Sequence, residues 1–303
     1  MRQALADSLV MAAQNNPKVI LLTGDHGYAL FDEYRKSCPS QYLNAGIAEQ
    51  NMVGMAAGLA RAGYFPIVYG LSAFIPIRVL EQIKLDVCHD DLPVIFLGDG
   101  AGFVYSSLGT SHQSTEDIAV TRVLPNLAVY SPADRYEMSA VLSLALETKK
   151  PTYIRIGKCD VGDVHSQKLT LSNEDILSLR VRSSKVVFFA TGSMVKIATS
   201  LADEFNASVY SVPVIKPFNS LQFIEDTLEA ASIVTFEEHS IYGGLGGMLA
   251  EVLSENHPIR LLRIGVNDRF SHYCGSYSYL LKEHSLDMES VRGKIQTFLS
   301  TND

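Results

Sequence analysis

Residues 65–98 read FPIVYGLSAFIPIRVLEQIKLDVCHDDLPVIFLG. The stretch opens on an apolar run, Phe65-Pro66-Ile67-Val68-Tyr69, that stops at Gly70. It closes on a second run, Pro93-Val94-Ile95-Phe96-Leu97, that stops at Gly98. Each run is continuous rather than alternating, so a strand built from it is apolar on both faces. Strands of this kind, joined by a longer helical segment, are the building unit of a parallel sheet covered on both sides.

The pattern repeats in both directions. Val19-Ile20-Leu21-Leu22-Thr23 precedes Gly24; Leu127-Ala128-Val129-Tyr130 and Thr152-Tyr153-Ile154-Arg155-Ile156 follow. Ser131 is placed to cap a helix with Pro132 at its first position. From Gly157 to about Ser184 the composition turns polar, and then the alternation restarts. Val186 to Ala190, Ser208 to Val212, Ile233 to Phe236 and Leu261 to Ile264 read as strands. These observations predict an α/β protein of two domains, each a mostly parallel sheet flanked by helices. The boundaries expected are 1–165, a linker over 166–184, and 185–303.

The whole chain has 303 residues, of which 47% are hydrophobic and 19% charged, enough apolar material for a core and too much for global disorder. Its 25 Lys and Arg against 33 Asp and Glu give a formal net charge of −8, which repels phosphate backbones and argues against nucleic acid. No apolar run is long enough for a membrane span, and the N-terminus lacks an apolar signal core. Cys38, Cys88, Cys159 and Cys274 are scattered without a C-x-x-C pair. Reduced thiols in a cytoplasmic protein fit that spacing, and a zinc site does not.

Three segments can carry chemistry. In residues 44–60, NAGIAEQNMVGMAAGLA, Glu49 is the only charge in a run that is otherwise apolar, small or neutral. A helix of this composition is expected to be buried on nearly every face. Its carboxylate is either an acid steadied by a helix N-terminus or a desolvated group with a chemical task. Residues 71–78, LSAFIPIR, follow a strand end, where ligands of α/β sheets bind, and Phe74 there is a packing residue or a stacking platform. The loop from Gly98 to Thr115 is long, rich in Gly and Ser, and holds His112. Loops of that length inside compact domains tend to be functional.

Together these segments resemble the transketolase family of thiamine-diphosphate enzymes over essentially the whole chain, as a pyrimidine-binding domain plus a C-terminal domain. Gly46-Ile47-Ala48-Glu49-Gln50 resembles the segment whose glutamate hydrogen-bonds the cofactor's aminopyrimidine. Ser72-Ala73-Phe74 is similar to the turn whose phenylalanine stacks on that ring. Ser111-His112-Gln113 with Glu116-Asp117 resembles the Thr-His-Gln substrate loop. Ala190-Thr191-Gly192-Ser193, Glu237-Glu238-His239 and Gly243-Gly244-Leu245-Gly246 resemble landmarks of the C-terminal domain. The resemblance implies Glu49 and His112 as catalytic residues, and Asp25, Ile47, Glu49, Phe74 and Ile77 as contacts of thiamine diphosphate. It implies Arg2, His26, His112 and Lys158 as substrate contacts. Asp25 can equally be a turn residue, and a solvated surface charge is the usual fate of residues such as Arg2 and Lys158.

What the chain lacks completes the expectation. Gly98-Asp99-Gly100 followed by Asn126 mimics the family's magnesium-diphosphate motif, but it begins in the substrate-loop position, and Asn126 opens a strand. No metal ligand is therefore assigned here, and Mg²⁺ is expected on a partner subunit carrying the diphosphate-binding domain, with pairing into an α2β2 assembly. Leu108 stands where the resemblance would place a hydroxyl-reading aspartate, which favours an atypical sugar or a donor without those hydroxyls, such as pyruvate, over an ordinary ketose. The function expected is transfer of a two-carbon ketol or acyl unit from such a donor to an aldehyde or carbonyl acceptor. The alternatives are a 2-oxoacid dehydrogenase E1 β subunit, a deoxyxylulose-phosphate-synthase-like acyl transferase and a non-catalytic regulatory subunit.

Overall fold

The computed structural model describes residues 1–158 and 160–301; Cys159 lies outside them. The first sheet takes β1 (Val19–Thr23), β2 (Tyr42–Asn44), β3 (Phe65–Leu71), β4 (Ile95–Asp99), β5 (Ala128–Tyr130) and β6 (Thr152–Ile156). The second takes β7 (Leu177–Arg180), β8 (Val186–Ala190), β9 (Ser208–Ser211), β11 (Ser232–Ser240) and β12 (Arg260–Val266), while β10 (Val214–Lys216) returns to the first. The strand orders are β10-β5-β6-β4-β3-β1-β2 and β12-β11-β8-β9-β7. Every pairing is parallel except β10 with β5 and β7 with β9. The two-domain, mostly parallel architecture read from the apolar runs is thus present.

The period of two along each strand sorts the core. Val19, Leu21, Ile67, Ile95 and Ile154 face the helices Arg2–Asn15 and Arg135–Thr148 through Leu5, Leu9, Met138 and Val141. Ile20, Leu22, Val68, Phe96 and Tyr153 face the helix Glu49–Arg61 through Met52, Val53, Ala56 and Ala57. That second core runs on without a break into Val187, Phe189, Tyr210 and Ile233 of the other sheet. Phe188, Val209 and Val234 on the remaining face meet Val195, Val291 and Ile295. No helix among the described residues is long and apolar enough to cross a membrane.

Several local expectations change. Asp134, not Ser131, caps the helix Arg135–Thr148, its carboxylate accepting from the Tyr136 and Glu137 amides. Pro132 stays outside, because a carboxylate two residues further on reaches two orphan N–H groups. Residues 177–180, read as linker, form β7 on the edge of the second sheet. The crossover from β3 to β4 is irregular: a 3₁₀ turn at Ile77–Val79, one α turn at Leu80–Gln82, and a wide turn at Ile83–Cys88. There the His89 amide donates to the Lys84 carbonyl at 3.0 Å, five residues back.

The C-terminal landmarks build the junction between the sheets. Arg155 of β6 and Asp117 form a fully buried pair at 2.8 Å. The Tyr153 hydroxyl also donates to Asp117 (2.7 Å), and Arg155 Nη2 donates to the Glu238 carbonyl (2.7 Å). The Glu238 carboxylate accepts across the junction from the Phe103 amide (2.7 Å), and within its own half from the Ser193 hydroxyl (2.5 Å) and the Tyr277 hydroxyl (2.5 Å). Gly102 admits this approach, since a Cβ there would lie 2.3 Å from Glu238 Oε1.

Beside it, buried His239 accepts the Ala119 amide on Nε2 (3.2 Å), so its proton is on Nδ1, which donates to the Ser240 carbonyl (2.8 Å). Burial pushes this imidazole down to about 4. A depressed imidazole contributes stability above pH 6.5, and that contribution is lost as pH falls through 4, up to about 3 kcal/mol. Burial moves the neighbouring Glu237 the opposite way, upward, offsetting part of the loss. We expect the stability gap between wild type and His239→Gln to narrow as urea midpoints are taken from pH 7 down to 4.5. A gap independent of pH would contradict a neutral buried imidazole.

Candidate active site

The carboxyl ends of β1 to β4 lie on one edge of the first sheet, and the turns leaving them carry the expected residues. Beyond β2, Gly46 adopts φ +71° and releases the chain into the helix Glu49–Arg61. Asn44 braces this corner. Its Oδ1 accepts from the Gly46 amide (2.9 Å) and from the Asp25 amide (3.1 Å), tying together the turns after β1 and β2.

Glu49 occupies the first turn of that helix, where its carboxylate meets the positive end of the helix dipole, and is only 6% exposed. Its Oε1 accepts from Arg78 Nη1 at 3.1 Å. The Arg78 guanidinium lies 3.9 Å from the centroid of the Phe74 ring, a cation–π contact. The edge of Phe74 in turn meets the His112 ring at 5.4 Å and 65°. Glu49, Arg78, Phe74 and His112 therefore form one contiguous row. Ile47, Ala48, Glu49, Gln50, Asn51 and Arg78 line a cleft of about 440 Å³ at its Glu49 end.

The remaining candidates surround this row. Asp25 (φ +60°) follows β1, and its carboxyl accepts from the Tyr28 hydroxyl at 2.5 Å, which holds it below the usual carboxylate range. Ile47 is 80% exposed at the lip of the cleft. Ile77 is half-buried in the turn that carries Arg78. His26 is partly exposed beside Asp25. Arg2 donates to buried Asp99 at 2.6 Å, and the Tyr69 and Tyr105 hydroxyls donate to the same oxygen. Lys158 pairs with Asp160 at 2.8 Å, 5.3 Å from the Tyr277 ring centroid. The charges of both Arg2 and Lys158 are thus shared with carboxylates of this chain. Leu108 stands exposed in the loop before Gly109.

Asp99 ends β4, whereas Asn126 lies just before β5 and donates to the Cys88 carbonyl. Because β4 and β5 both run parallel to β6, the two residues sit at opposite ends of the sheet and do not form one site.

The helix Glu49–Arg61 departs from the all-round burial expected of it. Met52, Val53, Ala56 and Ala57 are buried, but Gln50, Gly54 and Gly58 face outward, and a Cβ on either glycine would meet nothing within 4 Å. The apolar side satisfies this chain's own core, and the small side is left smooth and open. Sequence reasoning gave no role to Arg78 or Asn44. Arg78 stands four residues after Phe74, the spacing that stacks side chains on a helical turn, and this was the available signal.

Comparison with known proteins adds a second line of observation. Residues 1–162 match the family model for the transketolase pyrimidine binding domain, and residues 177–291 that for the transketolase C-terminal domain. The 6-deoxy-6-sulfo-D-fructose transketolase subunit SqwH of Clostridium sp. (strain MSTE9) is 31% identical, covering 96% of this chain and 92% of its own. An apulose-4-phosphate transketolase subunit of Phocaeicola vulgatus is 30% identical, covering 96% and 94%. A solved structure described as a split gene transketolase, inactive beta4 tetramer, superposes with a TM-score of 0.90 at 34% identity, covering 99% of this chain and 98% of its own.

Proposed function

Since the chain belongs to the transketolase family, we propose that it is the β-like subunit of a split transketolase dependent on thiamine diphosphate. In this reading it moves a two-carbon ketol unit from a ketose-like donor to an aldehyde acceptor. The observation that carries the proposal is the contiguous row of Glu49, Arg78, Phe74 and His112 at the strand ends. The near-complete mutual coverage of proteins named as transketolase subunits supports the split arrangement.

The residues present fit the pyrimidine half of the cofactor. A buried carboxylate at a helix N-terminus can hold a proton against a ring nitrogen, and Phe74 offers a flat apolar wall. Thiamine diphosphate, when bound, supplies the carbanion chemistry of the transfer. Glu49 would hold and return the proton at the ring nitrogen, in place of its bond from Arg78. Arg78 is half-exposed, so its guanidinium can turn to water when the pair opens, provided a partner for buried Glu49 takes its place. The guanidinium lies over the Phe74 ring, so a ring stacking on that face would have to displace it. His112, at the edge of Phe74, is placed to exchange a proton with the donor's oxygen. Asp25, Ile47 and Ile77 are the further residues of this chain that would contact the cofactor's ring.

The diphosphate and its Mg²⁺ are assigned to a partner subunit that carries the diphosphate-binding domain. The smooth Gly54/Gly58 face of the Glu49 helix is where we place its contact, within an α2β2 assembly in the cytoplasm. Arg2, His26 and Lys158 form the donor's rim, and because Arg2 and Lys158 are already paired, a donor anion has to compete with Asp99 and Asp160. The relatives named for a sulfosugar and for apulose 4-phosphate support a donor with an anionic or otherwise atypical end.

The test is calorimetric titration of thiamine diphosphate with Mg²⁺ into the chain alone and into its complex with the partner. We expect negligible binding by the chain alone and a micromolar Kd or better in the complex, about −8 kcal/mol. Tight Mg²⁺-dependent binding by the chain alone would overturn the split site.

A further inference from the structure

Next to His112, the side chain of Gln113 is only 6% exposed and is held from the other domain. Its Oε1 accepts from the Ser271 hydroxyl at 2.8 Å, and Ser271 Oγ lies 2.9 Å from His284 Nε2. With Gln113 Oε1 facing Ser271, the protons along this chain follow by counting. The single hydroxyl proton of Ser271 goes to the Gln113 oxygen, which is acceptor-only. Ser271 Oγ must then accept, so His284 carries its proton on Nε2. Burial holds His284 below the usual imidazole range, so the ring is neutral at pH 7. Its plane is set by stacking on Phe103 (4.7 Å, 23°), at the start of the same loop. His284 is 3% exposed and ends the helix Tyr277–Glu283.

The same C-terminal segment touches the loop elsewhere. The Gly275 amide reaches the Ser106 carbonyl at 3.5 Å, and a Cβ on Gly109 would sit 3.0 Å from Cys274 Sγ. The base of the loop is closed by the Gly102–Ser114 bridge. Between base and tip, the relay through Ser271 gives the residue after His112 a fixed anchor.

We propose that Ser271 and His284 are positioning residues of the C-terminal half: through Gln113 they set the loop so that His112 meets the edge of Phe74. They touch neither Glu49 nor the cleft beside it, so their effect on turnover is carried by the loop alone. The catalytic consequence rests on the function proposed above; the ordering of the loop does not.

Hydrogen exchange on the full chain, wild type against Ser271→Ala, Ser271→Thr and His284→Gln, reads the ordering directly. Ser271→Ala is expected to speed exchange in residues 103–113 by about tenfold, the scale of one lost hydrogen bond. Strands β8 and β11 should keep their protection, and Ser271→Thr, which restores the hydroxyl, should exchange as wild type. His284→Gln should lie between. In the complex with the partner, Ser271→Ala should lower kcat by about the same factor with cofactor affinity unchanged. Unchanged loop exchange, or exchange that rises equally in β8 and β11, would overturn the proposal. So would a loosened loop with full kcat. If the wild-type complex transfers no ketol unit, the function proposed above fails, while the exchange contrast still decides whether the relay orders the loop.

Discussion

Glu49→Gln is expected to lower the kcat of the assembled two-subunit enzyme by about 10²–10⁴-fold, the range of a lost general acid–base group. Glutamine preserves the shape and hydrogen-bonding reach of the side chain but cannot take up or return a proton. The folding cost should be small. Glutamine leaves no charge behind in the buried position, and Arg78, whose side chain is half-exposed, stays solvated. Cofactor affinity should therefore change far less than turnover, and the thermal midpoint should barely move. Rapid-quench or coupled-assay kinetics on the complex, with a melting curve for each variant, separates these effects. A Glu49→Gln complex with full kcat would remove the chain from the chemistry and leave it an assembly subunit.

The largest expected loss of stability is at Asp117. It is fully buried, and it answers the charge of fully buried Arg155 while also accepting from Tyr153. Removing one member of such a pair leaves a charge without an answer in low dielectric, which costs about 3–5 kcal/mol. Set against a typical stability of about 5–15 kcal/mol, that is a large fraction. Asp117→Ala should accordingly lower the thermal midpoint by roughly 10 °C. Asp117→Ala combined with Arg155→Met should recover much of this, because both charges are then gone. Midpoints for the two single variants and the double variant close the cycle. A double variant no better than Asp117→Ala would mean that packing, rather than an uncompensated guanidinium, sets the cost.

The strands that were legible in the sequence are those buried on both faces. Val19 to Thr23 and Thr152 to Ile156 announce themselves because every position is buried. The short strands β2, β7 and β10 have three or four residues of mixed polarity, Tyr-Leu-Asn, Leu-Ser-Leu-Arg and Val-Ile-Lys. Nothing local marks them, since pairing with a distant strand is what makes them extended. The site divides in the same way. Glu49 and Phe74 sit in short motifs whose chemistry travels with the local sequence. Ser271 and Gln113 are 158 residues apart, and no periodicity brings them together. Arg78 lies between these cases: it is near Phe74 in the chain, but its bond to Glu49 depends on how an irregular turn is wound.

Strand β10 carries a consequence for anyone who would take the protein apart. It leaves the second half of the chain to lie antiparallel on β5, at the rim of the first sheet. A fragment ending in the polar stretch before β8 would lose it, leaving β5 as a naked border whose unpaired amides and carbonyls invite another copy. The complementary fragment would carry an orphan ribbon with no sheet to join. Shuffled or chimeric proteins therefore need residues 214–216 and β5 from the same parent, even though the polar seam between the halves ends well before that ribbon begins.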